Sequence, residues 1–141
     1  MNRTAKAVWK GTLTEGSGTI DSQSGALSKL PYSFKGRFQD ETGMSGTNPE
    51  ELIAAAHAGC YAMQLSHFLA ENGTPATSLD ATAAVTLIPG TGITESAITL
   101  VGTVPGISAD KFKELADKAK AECPVSKALG AIKVSLDAKL A

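Results

Sequence analysis

Three observations predict an α+β fold. The first third of the 141-residue chain is a series of short β-rich runs separated by Gly/Ser turns. One long apolar segment, 48–73, carries its own helix start and stop signals. A second pair of β-rich runs is then followed by an amphipathic helix and a last alternating strand. The expected order is β-β-β-α-β-β-α-α-β. No repeat, low-complexity tract or linker breaks it, so residues 1–141 read as a single domain large enough to bury a core.

Residues Thr4 to Thr12 alternate small or apolar with polar side chains, and the turn Glu15-Gly16-Ser17-Gly18 leads into Thr19 to Ser22, which together spell a hairpin. A turn at Ser24-Gly25 precedes Tyr32 to Phe38, where Tyr32, Phe34 and Phe38 suggest a further strand. Gly43 to Thr47 is a loop that delivers the chain to the long segment. There Asn48 is placed to cap, Pro49 suits the first helical position, Glu51 completes a capping box, and Asn72-Gly73 marks the stop. Between Leu52 and Ala70 no charged Asp, Glu, Lys or Arg occurs, so the helix is expected to be buried on most sides. Six of those nineteen residues are Ala and four are polar, which is too weakly hydrophobic for a membrane span.

Ser78 to Ile88 and Ile93 to Val104, around Pro89-Gly90-Thr91-Gly92, predict a second hairpin. Pro105-Gly106 ends it. Ser108 can then cap a helix whose apolar face is Phe112, Leu115 and Ala119, and the helix closes near Cys123-Pro124. One or two helical turns over Val125 to Gly130 and a half-buried strand, Ala131 to Leu140, complete the chain.

Composition narrows the function. Thirteen basic and fourteen acidic residues, scattered, leave a net charge of -1 and no electrostatic footprint for nucleic acid or an anionic membrane. The opening MNRTAKAVWKG lacks the apolar run of a secretory signal, so a cytoplasmic protein is expected. In that compartment thiols stay reduced, and Cys60 and Cys123 need not be a structural staple. A permanent bridge, two unrelated buried thiols and redox chemistry are the readings that remain.

Cys60 lies in the middle of the apolar helix. Burial raises a thiol pKa, so Cys60 needs a cation to react at neutral pH. His57, one turn away, could supply one, or could be a core histidine making a single hydrogen bond. A metal site of His57, Cys60 and His67 is set aside because the three do not share a face well and no carboxylate joins them. Arg37 interrupts an aromatic run and offers a guanidinium, or faces water from an edge strand. Glu50 has no local task comparable to the capping role of Glu51. Ten residues separate Glu50 from Cys60, about 15 Å along a helix, so the two meet only if helices pair across a dimer. Cys123 stands at a helix cap before Pro124, a place that favours a thiolate able to attack an oxidised Cys60.

PYSFKGRF, TNPEELIAAAHAGCYAMQLS and CPVSKAL, in that order and followed by a final strand, resemble the OsmC/Ohr family of thiol-dependent peroxidases, in particular its OsmC branch. The resemblance covers essentially the whole chain. It implies a single OsmC-like domain and an intertwined homodimer, with antiparallel sheets from both subunits wrapped around the long central helices. It also implies a peroxidatic cysteine at Cys60, a resolving cysteine at Cys123, and an arginine and a glutamate at Arg37 and Glu50, both supplied by the opposite subunit. The implied activity is reduction of organic hydroperoxides through a Cys60 sulfenic acid and a Cys60–Cys123 disulfide, in oxidative and osmotic stress defence. A small dithiol, of the lipoyl type, would be the reductant, and no metal or other cofactor is required. Tyr61, Met63 and Phe68, near Cys60 in sequence, favour alkyl over hydrogen peroxide substrates. The alternative is a dimeric module that binds a small apolar ligand and has incidental thiols; a redox sensor would lack any visible DNA-binding element.

Overall fold

The alternating first third forms three strands, β1 (Ala5–Lys10), β2 (Ser17–Ser22) and β3 (Leu30–Ser33), paired antiparallel in the order β1-β2-β3. Trp9 and Tyr32 meet across this sheet with ring centroids 5.2 Å apart and planes tilted by 52°. Gly18 lies between them in sequence position on β2, and a Cβ there would fall 2.5 Å from the Tyr32 ring, so only glycine fits. The computed structural model describes residues 1–141, and they divide into two units, Met1–Pro49 and Glu50–Ala141.

The strand expected over Tyr32 to Phe38 is a correction: it stops at Ser33, and Phe34–Phe38 is a short helix, α1. Ser33 caps it, its hydroxyl accepting from the Gly36 amide at 3.0 Å. Phe34 and Phe38 are four residues apart, a helical rather than a strand spacing, and their rings meet at 4.9 Å. The aromatic content suggested a strand; the cap and the spacing decided for a helix.

The second unit is built on the long helix, α2 (Pro49–Glu71), as its start and stop signals predict. A three-stranded sheet follows, from β4 (Ser78–Ile88), β5 (Gly92–Thr103) and β6 (Lys133–Leu140), in the order β4-β5-β6. Burial alternates residue by residue along β4, with Leu79, Ala81, Ala83, Val85 and Leu87 turned inward. Between β5 and β6 run α3 (Ala109–Glu122) and α4 (Pro124–Ala128). This connection makes β6 parallel to β5, so the expectation of wholly antiparallel sheets holds for β1-β2-β3 and β4-β5 but not for the last pair. A helical crossover brings the chain back to the same end of the sheet before the next strand begins, which forces the parallel direction.

Tyr61, Leu65, Phe68 and Leu69 of α2, Ile98 and Leu100 of β5, and Phe112, Leu115, Ala116 and Ala119 of α3 form one core. Each large side chain fully removed from water there contributes about 1.5–3 kcal/mol. Gly102 lets α3 lie close on β5, because a Cβ at that position would be 2.8 Å from the Phe112 ring. The helix expected to be buried on most sides buries one. Glu51, Ala55, Ala56, Gly59, Met63, Ser66, His67 and Ala70 are exposed along the other, Met63 to 71%.

Candidate active site

Cys60 sits at mid-length on α2, half-buried, where it packs against the core. Cys123 is fully buried and joins two helices, ending α3 and beginning α4. Its amide closes α3 on the Ala119 carbonyl at 2.9 Å, and its own carbonyl accepts from Lys127 at 3.0 Å to open α4. Pro124 imposes this break. Proline has no N–H to continue α3 and pushes the preceding residue toward extended geometry, seen here as φ -55° and ψ 124° for Cys123. The kink turns the Cys123 side chain onto α2, where the two Sγ atoms are 2.9 Å apart and hydrogen-bonded.

The pair divides one proton unequally. Burial, then the hydrogen bond with Cys123, pushes the Cys60 thiol above its ordinary pKa. Burial also opposes ionisation of Cys123, but the Cys60 thiol, the Ser126 amide and hydroxyl and the Val125 amide outweigh it and bring Cys123 below its ordinary value. The Cys123 side chain itself makes no capping hydrogen bond at the start of α4. Within this unit, then, Cys60 is the less buried of the two cysteines and Cys123 the one that more readily ionises. No cation is among the groups that set the Cys60 pKa in this unit.

His57 does not supply one. It is fully buried, burial lowers its pKa, and both ring nitrogens are engaged, Nδ1 with Ser96 Oγ at 2.7 Å and Nε2 with Ser126 Oγ at 2.8 Å. The histidine is a core residue making two hydrogen bonds where one was expected. This His57–Ser96–Ser126 cluster was missed in the sequence, although two signals were there. Ser96 shares the inward face of β5 with Ile98, Leu100 and Gly102, and Ser126 follows Cys123 by the three residues that also separate His57 from Cys60.

Arg37 lies on α1, not on a strand, with its guanidinium 4.9 Å from the Phe38 ring centroid. It lines a mainly apolar cavity of about 290 Å³ with Trp9, Leu13, Tyr32, Phe34 and Phe38. Glu50 occupies the first turn of α2, as predicted. Because α2 is unbroken from Pro49 to Glu71, Glu50 is about 15 Å along the axis from Cys60 of the same chain. Of the residues near Cys60 in sequence, Tyr61 and Phe68 are buried in the core while Met63 is on the open face of α2. His67 is also outside the site, 3.4 Å from Glu71 on the helix surface.

The chain is similar to known proteins along most of its length. A family model described as OsmC-like protein matches residues 40–137. Peroxiredoxin OsmC of Escherichia coli (strain K12) is 45% identical over 143 residues, covering 99% of this chain and 97% of that one. The organic hydroperoxide resistance protein OhrB of Bacillus subtilis (strain 168) is 32% identical over 99 residues, covering 69% and 73%. Its crystal structure superposes with a TM-score of 0.71, covering 96% of this chain and 98% of that one at 30% identity.

Proposed function

The chain belongs to the OsmC-like protein family, and we propose that it is a thiol-dependent peroxidase that reduces organic hydroperoxides to alcohols in oxidative and osmotic stress defence. The observation that carries the reading is the pairing of a half-buried cysteine, Cys60, with a fully buried one, Cys123, their sulfurs 2.9 Å apart. The less buried thiol meets the peroxide; the hidden one, within bonding reach, captures the sulfenic acid before a second peroxide oxidises it further.

Cys60 thiolate attacks the terminal oxygen of the hydroperoxide. The O–O bond breaks, an alkoxide leaves and takes a proton to become the alcohol, and Cys60 becomes a sulfenic acid. Cys123 thiolate then attacks the Cys60 sulfur. The S–O bond breaks, the departing hydroxide takes up the proton that Cys123 lost, and a disulfide and water result. A small dithiol of the lipoyl type restores both thiols by exchange. The redox centre is sulfur itself, and no other cofactor enters.

Arg37 supplies the cation that lowers the Cys60 pKa, and Glu50 orients it, both from a second subunit. Two facts support this. Burial raises the Cys60 pKa, and the residues placed around it in its own unit do not reverse that. Glu50 is too far along α2 to serve the Cys60 of its own helix. The open face of small residues on α2, Ala55, Ala56 and Gly59 among them, suits close packing against another copy of the helix. In this homodimer the two units of each chain work as one OsmC-like domain. No helix is long and apolar enough to cross a membrane. The proposed compartment is the cytoplasm, where thiols are kept reduced.

Mass spectrometry after one equivalent of cumene hydroperoxide tests the reading. It predicts a Cys60–Cys123 disulfide in the mapped peptides; consumption of the peroxide with both thiols intact would contradict it.

A further inference from the structure

Outside the two sulfurs, the most conspicuous polar feature of the core is His57 with its two serines. His57 and Ser96 are fully buried and Ser126 is 7% exposed. No buried side-chain polar atom in the chain lacks a partner, so the cluster is a completed network. Its placement is specific. His57 and Cys60 are one turn apart on α2; Cys123 and Ser126 are one turn apart across the start of α4. The His57–Ser126 bond at 2.8 Å and the Cys60–Cys123 contact at 2.9 Å are therefore two parallel rungs between the same two segments.

The protons of the network admit one arrangement that also serves Cys123. Neutral His57 has one N–H and one lone pair on its ring, and each serine has one O–H. If the Ser126 hydroxyl is turned to the Cys123 sulfur, Nε2 must carry the proton and donate to Ser126 Oγ. Nδ1 then accepts from the Ser96 hydroxyl. Donation runs in one direction, Ser96 to His57 to Ser126 to Cys123. In the opposite arrangement Ser126 donates to His57, and Cys123 loses that donor.

We propose that His57 and Ser126 are positioning residues for the disulfide-forming step. The His57–Ser126 rung holds the Cys123 turn in register with Cys60, and the Nε2–H tautomer directs the Ser126 hydroxyl at the attacking sulfur. The inference rests on the reading of Cys60 and Cys123 as the peroxidatic and resolving thiols. It adds that the second step has machinery of its own, separate from the arginine that serves the first. The cluster donates to the thiolate of Cys123 while it attacks Cys60; the hydroxide leaves with the proton that Cys123 gave up earlier, so His57 stays neutral throughout.

Rapid mixing of the reduced protein with cumene hydroperoxide, with the Cys60 sulfenic acid trapped by dimedone and the disulfide followed separately, tests the proposal. Ser126→Ala removes a single oxygen. It should leave sulfenic acid formation within about twofold of wild type and slow disulfide formation by at least about tenfold, the lower end of what a hydrogen bond to a charged group is worth. Ser126→Thr restores the hydroxyl and should restore the rate. His57→Gln keeps an N–H toward Ser126 and should retain most of it, whereas His57→Leu should behave like Ser126→Ala. Nitrogen-15 spectra of the reduced protein should show His57 protonated on Nε2. A wild-type disulfide rate in Ser126→Ala, or an Nδ1–H tautomer, would overturn the proposal while leaving the peroxidase reading intact. A wild-type protein that forms neither sulfenic acid nor disulfide would overturn both.

Discussion

Cys60 and Cys123, 63 residues apart in the chain, bring their Sγ atoms to 2.9 Å with both thiols free. The approach comes from two local decisions in the sequence. An uncharged run from Leu52 to Ala70 buries the face of α2 next to Cys60, and Pro124 breaks the α3–α4 path so that Cys123 turns inward. Since the sulfurs already meet when reduced, closing the disulfide requires no large rearrangement of either helix. Orientation of this kind replaces a bimolecular encounter with an intramolecular one.

If Arg37 ionises Cys60, Arg37→Ala should lower kcat/KM for an organic hydroperoxide at neutral pH by about a hundredfold, because an adjacent opposite charge shifts a pKa by ~1–3 units. The sign with pH follows from the thiolate being the high-pH form. Loss of the arginine raises the Cys60 pKa further, so the deficit should be largest near neutrality and shrink as pH rises. Iodoacetamide alkylation rates across pH measure this directly; parallel profiles for wild type and variant would contradict it.

Much of this arrangement was readable beforehand, for physical reasons that differ from element to element. Asn48, Pro49 and Asn72-Gly73 bracket α2, and strict alternation gave β4, because caps and period-two burial are local properties of a sequence. Over Phe34 to Phe38 the aromatic content favours a strand, but the Ser33 cap and the four-residue spacing of the two rings make it a helix. The parallel direction of β6 depends on the path of α3 and α4, which no local pattern encodes. Both cysteines stand out in the sequence as candidates, and the structure brings their sulfurs together. The His57–Ser96–Ser126 cluster does not stand out, since it joins three elements distant in sequence, and a lone histidine on an apolar helix does not reveal its partners.

Met63 is 71% exposed on the open face of α2 and offers a probe of association. A glutamate there would meet solvent in a single chain but would be desolvated in a helix-to-helix interface, which is strongly unfavourable. If α2 packs against its own copy as proposed, Met63→Glu is expected to keep the fold, leave the protein monomeric, and lose peroxidase activity along with the proposed contribution of the second subunit's Arg37 and Glu50. Sedimentation velocity beside a turnover assay checks both. A monomeric wild type, or a monomeric variant with full activity, would contradict the shared site.

The cavity beside Arg37 has walls of Trp9, Leu13, Tyr32, Phe34 and Phe38. Aromatic and aliphatic walls reward an alkyl or aryl group on the peroxide and give hydrogen peroxide nothing to bury. We expect kcat/KM for cumene hydroperoxide to exceed that for hydrogen peroxide by at least about tenfold. Equal values would show that the cavity does not contact the substrate.

His57 also links stability to pH. Its folded pKa lies below the unfolded value of 6.5 because burial disfavours the charged ring. The unfolded chain thus binds more protons as pH falls through that value, and the stability contributed by neutral His57 is present above about pH 6.5 and lost below it. Urea midpoints should fall between pH 7 and pH 5, and His57→Gln should flatten the fall. The lowered carboxylates Asp40 and Glu95 act only in more acidic solution. An unchanged slope in the variant would assign the acid sensitivity elsewhere.

The division of labour between the two sulfurs is tested most directly by a single-turnover comparison of Cys60→Ser and Cys123→Ser against one equivalent of cumene hydroperoxide. Cys123→Ser should still consume the peroxide at close to the wild-type rate and stop at a dimedone-reactive sulfenic acid on Cys60. Cys60→Ser should consume none beyond background. Peroxide reduction by Cys60→Ser, with the sulfenic acid appearing on Cys123, would reverse the roles and contradict the account.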